Sequence, residues 1–180
     1  MKNKLQKLKH YFKKLQRVSN LSKSDKYVWN DLIQLMDELE LNYSRNDTTK
    51  TVHLNMNIFE DTAISYRYSL SGSYLIVGGL IVENIEVEKM NDMLVLASHV
   101  NAMLPVGVVL VNANRGYVEY YLELDVYRLL LFPSEIYEGM YLHNTYTKDH
   151  IFPTFQKMHT SWEDPIFIFS EFMENFQKKN

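Results

Sequence analysis

The sequence predicts an α+β domain with an antiparallel five-stranded sheet and helices in the order α-α-βββ-α-ββ-α-α. Three observations carry this expectation. Apolar residues recur at every second position over 51–58 and 64–70, the period of a half-buried strand. They recur at three- and four-residue spacing over 5–18, 28–39 and 165–176, the period of one helix face. Ser71-Gly72-Ser73 and the stretch Asn112 to Gly116 separate apolar runs tightly enough for hairpins, which join antiparallel neighbours.

The elements follow in order. Leu5, Leu8, Phe12, Leu15 and Val18 share one helical face and lysines cover the opposite side, so residues 1–24 read as a basic amphipathic helix extension. After a break at SNLSKSD, Ser24 or Asp25 can cap a second helix running to about Leu41, because their side-chain oxygens accept free N-terminal amides. Its buried face is Val28, Leu32, Leu35 and Leu39, with Trp29, Ile33 and Met36 beside them. The polar NYSRNDTTK ends it.

Val52, Leu54, Met56 and Ile58 alternate with His53, Asn55 and Asn57, which gives a strand with one wet face. Ile64, Tyr66, Tyr68 and Leu70 repeat the pattern, and YLIVGGLIV is apolar on both faces, as expected of a central strand. Gly78-Gly79 within it marks a bulge or a close backbone approach. Helical spacing returns from about Ile85 to Met103, with Met90, Leu94, Ala97 and Val100 in register, and stops at Leu104-Pro105. Val106 to Val111 is apolar on both faces and reads as buried sheet. Tyr117 to Asp125 alternates, and Gly116 supplies the left-handed residue of the hairpin between them.

Pro133-Ser134-Glu135 opens a further helical segment with Ile136, Met140 and His143 on one face, which Pro153 should kink or divide before Met158. Asp164 caps and Pro165 opens a Phe-rich last helix with Ile166, Phe169, Met173 and Phe176 in line. Residues 25–160 form the α+β domain and 161–180 the C-terminal helix, with linkers at 19–25 and 159–164.

At 180 residues and 46% hydrophobic, the chain is long enough for one domain with a real core. No window of about twenty apolar residues occurs and the first twenty lack a signal-peptide centre, so the expected location is cytoplasmic. The absence of cysteine removes disulfides, thiolate metal sites and cysteine nucleophiles together. The net charge of -3 conceals an asymmetry. Residues 1–26 hold nine Lys and Arg against one acid, while the rest holds ten against twenty-one. A basic arm on an acidic body can contact nucleic acid or anionic lipid, or can pack on its own domain or a partner's. The second is favoured, because the apolar stripe of the arm needs burial in any case.

Chemistry-bearing patterns are absent. His143, His150 and His159 lack HxxxH or HExxH spacing and a close carboxylate, so they read as structural histidines rather than metal ligands. No GxSxG elbow or phosphate-cradling glycine motif is present, and Ser98-His99 point about 100° apart on a helix. Glu119, Glu123 and Asp125 alternate with apolar residues and line the face opposite the core. They could act as general acid and base in a hydrolase or transferase, but a solvated sheet face is the simpler reading. No cofactor, metal, catalytic residue or small-molecule substrate is implied.

Within 26–158, HVNAMLPVGVVLVNANRGYVEYYLEL followed by PSEIYEGM and DHIFPTFQKM resembles the bacterial YbjN family, of type III secretion chaperone-like fold. In that family an Asn on the central helix precedes a hairpin with a Gly-containing first strand and an aromatic second one; Asn101, Gly107 and Tyr120 fill those places. The resemblance implies a non-enzymatic protein. The YbjN proteins are described as sensory or stress-linked regulators, and the secretion chaperones are small acidic dimers that hold an extended client.

The expected function is therefore a chaperone-like or regulatory protein-binding module, a homodimer, holding a protein client by strand addition or through helix–sheet grooves. Tyr66, Tyr68, Tyr117 and Tyr121 are the candidate surface contacts, because amphipathic aromatics give large contact area at low entropic cost, with ordinary cross-strand packing as the equal alternative. Glu119 and Glu123 share the face of Tyr117 and Tyr121. Phe169, Phe172 and Phe176 offer more apolar area than a terminal helix usually needs; docking on the core is the favoured reading and a dimer or partner contact the alternative.

Overall fold

The computed structural model describes Arg17 and residues 19–179. Most of the expected basic extension 1–24 therefore lies outside the described residues. Helix α1 (Ser24–Glu38) leads into strands β1 (Tyr43–Asn46), β2 (Thr51–Phe59), β3 (Thr62–Ser71) and β4 (Tyr74–Val82). Helix α2 (Met90–Met103) precedes the hairpin β5 (Val108–Asn112) and β6 (Tyr117–Asp125). Helices α3 (Val126–Leu131), α4 (Ser134–Tyr146), α5 (Phe152–Thr160) and α6 (Pro165–Lys179) complete the chain.

The α+β class and the antiparallel pairing agree with the sequence, but the sheet has six strands, not five, in the order β1-β2-β3-β4-β6-β5. The additional strand is β1, inside the stretch read as a polar helix exit. Tyr43 pairs with Leu54 and Asn46 with Thr51. The Asn46 side chain accepts from the amides of Thr48 at 3.0 Å and Thr49 at 3.1 Å, and so turns the chain into β2. Three of its four residues are exposed, which left no apolar period to read.

β4 is central, between β3 and β6, as its two-sided apolar pattern requires. β5 is not the buried strand expected of Val106 to Val111. It forms the sheet edge, with Val109 at 3% exposure but Val108 at 41% and Leu110 at 42%. Asp164 begins α6 as expected, its carboxylate accepting from the Ile166 amide at 2.8 Å. Neither Ser24 nor Asp25 caps α1; a short 3-10 turn over Leu21–Lys23 leads straight into it. α2 starts at Met90, later than Ile85, and buries Met93, Leu96, Ala97 and Val100 rather than Leu94.

The helical run after Pro133 is divided as Pro153 demands. α4 passes into α5 through one π turn, Thr147–Ile151, and the proline sits in the first turn of α5, where its missing amide costs nothing. The core lies between one sheet face and the helices. From the sheet come Val52, Leu54, Ile64, Tyr66, Tyr68, Leu75, Val77, Val118, Tyr120 and Leu122. Leu32 and Met36 of α1, Leu96 of α2, Ile136 of α4 and Phe155 of α5 meet them. Buried Lys89, just before α2, ties the far end of this layer. Its ammonium donates to the His159 carbonyl at the C-terminal end of α5 and lies 4.6 Å from the centre of the Trp162 ring.

Candidate docking face

Alternation along a strand sends successive side chains to opposite faces, so the helix-covered face fixes what the other face carries. Cross-strand pairing places Ser44, His53, Arg67, Gly78, Tyr121 and Val108 in one row over all six strands. Adjacent rows add Ile76 and Glu123, and Leu80, Glu119 and Leu110. The β1–β3 half is polar and exposed. The β4–β6–β5 half is a contiguous apolar and tyrosine surface, in which Ile76, Leu80, Tyr117 and Tyr121 are half-buried and Val108 and Leu110 exposed.

One ion pair joins the halves. Glu119 Oε1 on β6 reaches across β4 to Arg67 Nη2 on β3 at 3.0 Å. It crosses over Gly78, where a Cβ would collide with the Glu119 carboxylate. Gly78 therefore marks a close approach, made by a side chain rather than by the backbone expected of the glycine pair. Glu119 is held by a cation rather than set against a histidine. Glu123 is exposed at the end of the same face, and Asn112 donates to the Tyr117 hydroxyl at 3.2 Å.

Of the expected surface contacts, Tyr117 and Tyr121 lie on this face, but Tyr66 and Tyr68 do not. Both are 1% exposed. They share the parity of Ile64 and Leu70, and that signal assigns them to the core side. Burial pushes the Tyr66 phenol up to about 12 and raises that of Tyr68, and the Tyr66 hydroxyl donates to Asn144 at 3.0 Å. The phenylalanines of α6 divide likewise. Phe172 is 2% exposed and Phe169 and Phe176 are half-buried, in a stack that runs 6.1 and 5.3 Å between ring centres. They dock α6 onto α2 through His99, and onto the end of α4 and the π turn that follows it through Tyr146 and His150. The residues that sequence reasoning missed are Ile76, Leu80, Val108 and Leu110, all of which were read as buried strand.

Beneath β4 lies a buried polar cluster. His143 on α4 stacks on Tyr120 at 4.6 Å and meets the Tyr66 ring edge-on at 5.6 Å. Gly79 makes room, since a Cβ there would stand 3.1 Å from His143 Cε1 and 3.3 Å from Tyr66 Cε1. The His143 Nε2 lies 2.8 Å from the Tyr120 carbonyl. A carbonyl only accepts, so Nε2 carries the proton and Nδ1 is left to accept from the Thr147 hydroxyl at 3.4 Å. Burial lowers the His143 imidazole to about 4, against a smaller opposing effect of the Tyr120 carbonyl.

The residues that carried the family resemblance form a clamp on the β5–β6 hairpin. Asn101 on α2 donates from Nδ2 to the Val109 carbonyl at 2.9 Å and accepts from the Val109 amide at 2.7 Å. Gly107 has φ +74°, and a Cβ there would lie 2.6 Å from the Tyr120 ring. The Tyr120 hydroxyl donates to the Val106 carbonyl at 2.9 Å.

Among the described residues, no group of three or more His, Asp or Glu is placed to hold a metal ion, and no helix is long and apolar enough to cross a membrane. No family model matches the chain, and no curated protein matches it. Among solved structures, it is similar to the crystal structure of YbjN from E. coli. The two share 13% identity over 67% of this chain and 88% of that one, with a TM-score of 0.49.

Proposed function

We propose that this protein is a non-enzymatic protein-binding module that receives a protein partner on the open face of its sheet. The observation that carries the reading is the contiguous surface of Ile76, Leu80, Val108, Leu110, Tyr117 and Tyr121, exposed or half-buried on the sheet face opposite the one on which the described helices pack. Apolar surface flanked by charge is the composition of an interface core with a polar rim. Arg67, Glu119 and Glu123 supply the rim. The tyrosines add contact area with few rotamers to freeze.

The test is retention of partners by the full chain against a Leu110→Glu/Tyr121→Glu double variant, together with light scattering of both. The variant should lose the proteins, or the second copy of itself, that the parent binds, with its thermal midpoint unchanged. Identical partners and identical mass for parent and variant would overturn the reading.

A further inference from the structure

We propose that the β5 edge is a latent pairing surface for a second copy of this chain, held shut by the side chain of Asn101. This inference is independent of what binds the open face. An edge strand presents unpaired backbone amides and carbonyls, which template another strand unless something covers them. β5 is such an edge, since among the described residues β6 is its sole strand partner, and VVLVN has the β-branched, uncharged composition that favours pairing.

The geometry of the cover fixes what it replaces. Within an antiparallel pair, a residue sends both of its backbone polar groups to the same side. Both groups of Val109 go to Asn101, at 2.7 and 2.9 Å, so both point away from β6 and out of the sheet. A carboxamide offers one donor and one acceptor side by side, the complement that a hydrogen-bonded residue of a neighbouring strand would present. Asn101 thus stands where a seventh strand would bond.

The same geometry sets the register of the pairing it prevents. With Val109 of each copy on a two-fold axis, the two residues exchange both bonds, which are the two that Asn101 now makes. Val108 of one copy then lies opposite Leu110 of the other. Both side chains already project to the open face, at 41% and 42% exposure. Pairing would join two apolar surfaces into one continuous sheet face.

The experiment compares the full chain with Asn101→Ala and Asn101→Asp. The aspartate keeps an acceptor for the Val109 amide but has no donor for its carbonyl. Sedimentation over a range of concentrations should show the parent mass doubling in Asn101→Ala and, at higher concentration, in Asn101→Asp. The chain has no cysteine, so the register can be read by disulfide trapping. In the Asn101→Ala background, a mixture of Val108→Cys and Leu110→Cys chains should cross-link as a heterodimer faster than either alone, because opposed residues of that type stand about 4.5 Å apart at Cα. Far-ultraviolet dichroism establishes that each variant is folded before its mass is read. Folded Asn101 variants that keep the parent mass would overturn the proposal. So would 108–110 trapping that is equally fast with Asn101 in place.

Discussion

His143 is the residue whose chemistry depends most on its surroundings. It is fully buried among Tyr66, Tyr120, Gly79 and Thr147, and its imidazole is lowered from 6.5 to about 4. Above pH 6.5 it is neutral both folded and unfolded, so it costs the fold nothing through protonation. As the pH falls from 6.5 to about 4 the unfolded chain takes up the proton first, and stability declines across that window by up to about 3 kcal/mol. Urea unfolding of the parent and of His143→Gln between pH 7 and 4.5 checks this: the substitution should flatten the decline, and an equal slope in both would remove His143 as its cause. That His143 faces inward was legible from its shared face with Ile136 and Met140. Its partners were not, because Tyr120 and Thr147 approach it through a sheet pairing and a π turn that no local pattern records. Tyr66 and Tyr68 show the opposite case. Strand parity placed them in the core, and their value as contact residues was the weaker guide.

At the scale of the element, long periodic segments were readable and edges were not. α1, β2, β3 and α6 were announced by an apolar period and β4 by a run apolar on both faces, in elements of nine to fifteen residues. β1 and β5 have four and five residues, and such strands declare their place through partners rather than through their own pattern. β5 misleads further, since VGVVLV is as apolar as a central strand although β6 is its sole neighbour among the described strands. α6 carries its own prediction. Ile168 at 1% exposure and Phe172 at 2% are core residues, each contributing about 1.5–3 kcal/mol on burial. A chain ending at Ser161 should therefore show a markedly lower urea midpoint and should expose the flank of α2. An unchanged midpoint would mean that α6 lies against the body without stabilising it.

At the scale of the whole molecule, a sheet that the described helices cover on one side accounts for the core, the opposite face and the position of the charges across it. The helices and strands were legible in kind and nearly in order, but the strand sequence in space was not. It places β4 against β6 while α2 and β5 intervene along the chain. This seam has a consequence in time. β1 to β4 form a meander of hairpins, each closing over a few residues, whereas joining β4 to β6 requires a loop of a whole helix and strand to close before any bond repays the entropy. The meander should therefore assemble ahead of the barrier and the seam behind it. In a denaturant chevron, Ile64→Val should slow folding, and Leu122→Ala, which faces Val77 across the seam, should mainly speed unfolding. The reverse pattern would make the seam the nucleus. With the seam closing last, a chain arrested halfway is a four-stranded sheet with the inner edge of β4 uncovered, so the most apolar strand of the protein is the one exposed longest to aggregation.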